Sequence, residues 1–159
     1  MTEDEHHFLL QRVQPAMVGL IDGSLSTLAP IFGIAFYTHK PHVAFIAGLA
    51  TSIGAAISMA FSEGLSDTGE LTGRGTPATR GAITGLGTFF GGILHTLPFL
   101  ITNYHGAVVV AAIVVAFELI GLAVIRWKFF DTGFLKSLVA ISIGGAVIAV
   151  VGALIGSTG

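Results

Sequence analysis

GAVVVAAIVVAFELIGLAVI, residues 106–125, is an apolar stretch whose only charge is Glu118. A helix needs about 20 mostly apolar residues to cross roughly 30 Å of hydrocarbon, so this stretch reads as a transmembrane helix. Working outward, runs of the same kind occur at 17–37, 43–62, 81–101 and 137–156. The linkers between them are too short for a second domain. The expected fold class is therefore an all-α integral membrane protein of five transmembrane helices. A cytoplasmic N-terminal segment, 1–16, precedes a five-span transport domain, 17–156. The first run follows several acidic residues and lacks a small-residue cleavage site, so it is read as a retained span and not as a signal peptide.

The whole-chain composition agrees. Of 159 residues, 53% are hydrophobic and 10% charged, whereas a soluble domain carries roughly a quarter charged residues; mean hydropathy is +0.87. A water-soluble globular domain is excluded. A formal net charge of −2 leaves no basic footprint for nucleic acid, and no Lys/Arg cluster is dense enough to read anionic lipid. With no cysteine, there is no disulfide framework, thiolate metal site or Cys nucleophile. Any metal chemistry falls to Asp, Glu, His or Met.

Positive loops tend to stay cytoplasmic. Arg12, Arg74, Arg80, Arg126, Lys128 and Lys136 fall on one side of the expected spans and only Lys40 on the other. The amino terminus is therefore expected inside and the carboxyl terminus outside. Glycines four apart, Gly19/Gly23, Gly81/Gly85 and Gly87/Gly91, let helix backbones approach closely. The sequence leaves open whether they do so within one chain or between chains.

Several polar residues lie where hydropathy would not place them. Asp22 is inside the first span, Met59 and Glu63 end the second, His95 lies in the third and Glu118 in the fourth. A carboxylate at mid-helix costs about 2.5–3.5 kcal/mol on insertion scales, so it normally faces a polar cavity or a partner. Counting inward at about 1.5 Å per residue puts Asp22 and Met59 at one level. Met59, Glu63 and Asp67 follow an i, i+4, i+8 spacing that keeps them on one helix face, an entry track for a divalent cation. Pro30 leaves the Ser26 carbonyl without its usual helical donor, an oxygen that could help strip water from an ion. Carboxylate beside thioether suits a borderline first-row ion, Fe²⁺ or Mn²⁺, better than Mg²⁺ or Ca²⁺.

Each residue also has a plainer reading. A methionine in a membrane helix packs, and Glu63 or Asp67 can be solvated groups at a helix end. Glu118 is either a proton acceptor coupled to ion movement or the partner of His95 across the bundle. Glu3, Asp4, Glu5, His6 and His7 are ligand-type residues in a terminal segment of the sort that is usually disordered.

With these residues in hand, the chain resembles the vacuolar iron transporter family over nearly all its length. Gly19-Leu-Ile-Asp22-Gly23-Ser-Leu-Ser26 looks like the family's Asp-Gly signature and Ala56-Ile-Ser58-Met59 like its Ser-Met element. Gly91-Gly92-Ile-Leu-His95-Thr-Leu-Pro98-Phe resembles its Gly-Gly…Leu-Pro segment. The stretch Leu65–Gly75 with Arg126-Trp127-Lys128 is similar to the membrane half of the bacterial membrane-bound ferritin-like iron exporters. The resemblance implies a homodimer of five-span subunits that moves Fe²⁺, and Mn²⁺ with it, out of the cytoplasm by proton antiport. It puts Asp22 and Met59 on the ion path, with Glu63 at the inner mouth.

Two departures bear on loading. Residues 63–80 are too few for the Glu-rich cytosolic domain of eukaryotic members, and only about 16 residues precede the first span, where the ferritin-like relatives carry a di-iron bundle. Glu63, Asp67 and Glu70 would then form the loading mouth. The sequence-level expectation is a transporter, not an enzyme, in the cytoplasmic membrane of a bacterium. The metal-site residues are Asp22, Met59, Glu63 and Asp67, with Glu118 and His95 for proton coupling. The ion is cargo and no resident cofactor is expected. An organic-cation exporter is disfavoured, because one Trp and two Tyr give little for an aromatic cage. A non-transporting anchor for a separate ferritin-like iron-loading partner is the alternative.

Overall fold

The computed structural model describes residues 2–130 and 132–158, in which every regular element is helical. Helix α1 (Glu3–Phe8) runs through a π-helical turn (Leu9–Val13) into α2 (Gln14–Ser26), and α3 (Leu28–Thr38) follows a break at Thr27. The first helical run thus begins well before residue 17, where the apolar stretch starts. Thr2 nucleates it through a capping box. Its hydroxyl accepts from the Glu5 N–H at 3.3 Å, and the Glu5 carboxylate accepts from the Thr2 N–H at 2.7 Å. These bonds satisfy donors that a helix start leaves orphaned, so the acidic segment is helical rather than disordered.

After a tight turn in which His39 takes a left-handed conformation, α4 (Pro41–Ser66) returns across the molecule. The loop 67–76 leads to α5 (Pro77–Leu94), then a short 3₁₀ turn (Leu97–Leu100), α6 (Tyr104–Phe130) and α7 (Phe134–Gly156). Among the described residues four helical runs are long and apolar enough to cross a membrane: Glu3–Thr38, Pro41–Ser66, Tyr104–Phe130 and Phe134–Gly156.

The expected span 81–101 takes a different form. Its helix starts at Pro77 and stops at Leu94, and α5 is not among the four. Pro98 has no N–H to donate, which discourages a continuing helix, and the Thr96 N–H turns back to the Ile93 carbonyl at 3.0 Å. The sequence of α5 is less apolar because one side of it meets protein. Arg80, Gly81, Thr84, Gly85, Thr88 and Gly92 are buried there, while Leu86, Phe90 and Leu94 form an exposed apolar stripe.

Helix α5 is wedged between α2 and α4, and glycine decides both contacts. Alongside α2 the helices run parallel. A Cβ on Gly19 or Gly23 would collide with the Thr84 or Thr88 carbonyl, and one on Gly87 or Gly91 would lie 2.8 or 2.6 Å from the Ala16 or Leu20 carbonyl. Alongside α4 they run antiparallel, and a Cβ on Gly81 or Gly85 would lie 2.5 or 2.8 Å from the Ala60 or Ala56 carbonyl. All three glycine pairs therefore pack within one chain. Helix α7 lies along α3 in the same manner, Gly152 on Ala29 and Gly156 on Gly33. The remaining core is Leu28, Ile31, Phe32 and Ala35 of α3 packed on Ala44, Phe99, Ala107 and Ala111. Large apolar side chains such as Ile57, Phe61, Phe117 and Val147 point outward, the inverse of a soluble protein and the arrangement a lipid solvent permits.

Candidate functional site

The four residues expected to bind metal lie on α2, α4 and the start of the loop. Asp22 is half-buried on α2, and its neighbours one turn either way, Val18 and Ser26, are exposed, as is Pro30. These four form one outward stripe. Met59 is half-buried on α4, between Ala56, which packs on Gly85, and Ala60, which packs on Gly81 and Gly85. Gly23, next to Asp22, packs on Thr88. Measured along α5, Asp22 stands about 5–10 Å further from the loop than Met59, at 1.5 Å per residue. The shared level expected from residue counting becomes an offset, because α2 extends further towards the loop end than the apolar run does. Among the described residues no three His, Asp or Glu side chains converge as a metal cluster.

Glu63 sits in the last turn of α4 and Asp67 in extended backbone just past its end, so the expected common helix face stops short of Asp67, and what the two carboxylates share is a pair of arginines. Arg74 reaches Glu63 Oε1 at 2.6 Å and Asp67 Oδ2 at 3.2 Å; Arg80 reaches Glu63 Oε1 at 3.0 Å and Asp67 Oδ1 at 3.2 Å. The Arg80 side chain is completely buried. It also donates to the carbonyls of Gly75 and Asp67, both at 3.1 Å, and to Ser66 Oγ at 3.3 Å. Its five donors form a fork suited to such multiple acceptance.

Asp67 organises the loop in turn, accepting from the Gly69 N–H and from the Thr72 hydroxyl. Desolvation pushes the Asp67 carboxyl up, but the Gly69 N–H, Arg80, Thr72 and Arg74 together hold it below its ordinary value of 3.8. Left-handed backbone at Gly69, Gly73 and Gly75 lets the loop fold back, and Gln11 Nε2 ties it to the first helical run by donating to the Gly73 carbonyl at 3.0 Å. Glu63 and Asp67 of the expected entry track are thus held in an ion-pair lattice, and Glu70 stays exposed outside it. Arg74 and Arg80 are partners of these carboxylates that a topology count alone misses. The available signal was Arg80 lying against the start of an apolar run, with carboxylates at 63 and 67 to receive it.

The other pair expected from sequence is in contact. His95, fully buried just beyond α5, places Nδ1 2.9 Å from Glu118 Oε2 on α6. Its Nε2 lies 2.7 Å from the hydroxyl of Thr27, at the α2/α3 break. Glu118 is 8% exposed, and its second oxygen, Oε1, is buried without a partner.

These features define a polytopic helical membrane protein with ionisable side chains inside apolar helical runs and an ion-paired cluster at one end. Residues 13–71 match the model of the VIT family, and the match supports the vacuolar iron transporter family for this chain. The matched segment contains Asp22, Met59, Glu63 and Asp67; His95 and Glu118 fall outside it. No curated protein and no solved structure matches the chain. The family match points to metal-ion transport across a membrane, and a transporter rather than an enzyme is consistent with it.

Proposed function

We propose that this chain carries Fe²⁺, and Mn²⁺ with it, out of the cytoplasm by proton antiport, as a homodimer in the cytoplasmic membrane of a bacterium. Asp22 carries the proposal. It is a carboxylate well inside an apolar helical run, on a stripe that also exposes Ser26 and Pro30. Facing lipid, such a group costs about 2.5–3.5 kcal/mol at mid-helix, so this face calls for a cover that gains from the charge.

Helix α4, which also contacts α2, presents exposed Ala50, Gly54, Ser58 and Ser62 at four-residue spacing. A second copy seated on these faces would bring two Asp22 carboxylates and two Met59 thioethers around one path. Such a mixed oxygen and sulfur donor set suits a borderline first-row divalent ion. A proton entering from the outer side would then drive release of the ion.

At the inner mouth, Arg74 is the exchangeable closure. Its side chain is 23% exposed, while Arg80 is sealed. An arriving divalent cation competes with Arg74 for Glu63 and Asp67. The same closure favours the alternative role as an anchor for a ferritin-like partner, whose docking would displace Arg74 and load the mouth. Metal entry into liposomes containing the purified chain alone tests the proposal. Flux that falls to the protein-free level in Asp22→Asn is expected, and unchanged flux in that variant refutes the site.

A further inference from the structure

His95, Glu118 and Thr27 form a second buried polar centre, remote from the ion-paired mouth, and its hydrogen bonds can be counted. The Thr27 hydroxyl lies 2.8 Å from the Gly23 carbonyl oxygen, which can only accept, so its single hydrogen points there. Nε2 of His95, 2.7 Å from the same hydroxyl oxygen, must then be the donor. The 2.9 Å contact from Nδ1 to Glu118 Oε2 needs a third hydrogen. A neutral imidazole facing an ionised carboxylate has one N–H in all, already used at Nε2. Three bonds and two hydrogens do not match, and one additional proton closes the count.

We propose that His95 and Glu118 are a proton-binding dyad that holds one exchangeable proton between Nδ1 and Oε2, with Thr27 fixing the tautomer, and that this dyad is the proton carrier of the exchange. The carrier role rests on the transport reading above and separates the proton site from the metal site at Asp22. With its proton the pair is neutral overall; without it a net negative charge is left inside the bilayer, an expensive state. The proton therefore leaves only when another positive charge arrives or the pair gains access to water.

Glu118 Oε1, buried and unpartnered, is the open acceptor through which a proton can enter or leave. Other ionisable groups lie on the surrounding elements: Asp22 on α2, Tyr37 on α3, Glu63 on α4, Arg80 on α5, and Tyr104 and Arg126 on α6. Among the described residues none of them forms an ion pair or hydrogen bond with the dyad. Thr27 links the dyad to the break in the first helical run. Pro30 cannot donate to the Ser26 carbonyl there, so a change at His95 acts on a weakly bonded point five residues from Asp22.

Isotope-labelled histidine NMR on the intact chain in lipid nanodiscs, with His95→Gln to identify the signal, tests the dyad. The expected result, from mildly acidic to mildly alkaline solution, is Nε2 protonated together with an Nδ1 signal displaced from that of a free ring nitrogen by the proton held against Glu118; an Nδ1 without that proton overturns the dyad. A bare Nε2 overturns the proposal whatever the transport result. Glu118→Gln keeps a donor towards Nδ1 but cannot exchange a proton. Its downhill metal flux in liposomes is expected to persist while the dependence on a pH gradient is lost, and gradient-driven flux in this variant overturns the carrier role. A wild-type chain with protonated Nε2 and the displaced Nδ1 signal but no metal flux overturns the transport reading and the carrier role with it, while the dyad itself stands.

Discussion

Arg80→Met removes the buried centre of the mouth, and the structure sets the size of the effect. The guanidinium loses Glu63 Oε1 at 3.0 Å, Asp67 Oδ1 at 3.2 Å, and its bonds to Ser66 and to the Gly75 and Asp67 carbonyls. Breaking a buried pair by deleting one partner costs about 3–5 kcal/mol. Glu63, only 12% exposed, keeps Arg74 at 2.6 Å, which places the expected loss near the lower end, about 3 kcal/mol, or roughly a hundredfold in the folding equilibrium. Arg74→Met, at a side chain 23% exposed, should cost about 1 kcal/mol or less. Denaturant titration in mixed micelles measures both losses, and hydrogen exchange across 69–75 locates them. The reasoning is refuted if Arg80→Met lies within about 0.5 kcal/mol of wild type, or if Arg74→Met is the more damaging change.

Gly23→Ala drives a methyl group into the Thr88 carbonyl and should destabilise by about 1–3 kcal/mol as an overpacked contact. Gly54→Ala meets nothing within 4 Å and, since alanine favours a helix interior, should leave the unfolding midpoint of the detergent-solubilised monomer unlowered or slightly raised. Because Asp67 is held below its ordinary value of 3.8, its stabilisation of the loop is complete above that value and disappears as the pH falls through its lowered one. The protection of the Gly69 amide, relative to the intrinsic exchange rate at each pH, should therefore be flat from neutral to mildly acidic solution and fall only in strong acid. Ser26→Cys in this cysteine-free chain should give a disulfide-linked dimer in membranes under oxidation, whereas a cysteine at the buried Ser24 should not.

The membrane class and most helix boundaries were legible in the sequence because lipid imposes a length and apolarity that few other settings require. Residues 106–125 announce α6 almost unaided. Helix α5 was harder to read. It lies against protein along one side, so glycine and threonine replaced the long aliphatic residues that mark a span, and Pro98 cut its helix short. The pairing of His95 with Glu118 could be posed from sequence because both are isolated polar groups in apolar runs, each in need of a partner.

The arginines that meet Glu63 and Asp67 were missed for a related reason. Spacing puts Glu63 and Asp67 on one face, but only the fold of loop 67–76, with three glycines in left-handed backbone, brings Arg74 and Arg80 onto them. Loop arginines invite a topology argument, and the burial of Arg80 cannot be inferred from a hydropathy pattern. The level of Met59 relative to Asp22 depended on where α2 begins, which the apolar stretch alone conceals.

The central claim, proton-coupled movement of a divalent metal ion along the face that holds Asp22, is tested most directly by Fe²⁺ and Mn²⁺ entry into liposomes containing the purified chain and a metal-quenched dye, with and without an imposed pH gradient. The account predicts that the gradient accelerates quenching in the wild type and that Asp22→Asn abolishes it while still inserting and folding. Flux that ignores the gradient, or persists in folded Asp22→Asn, would contradict it.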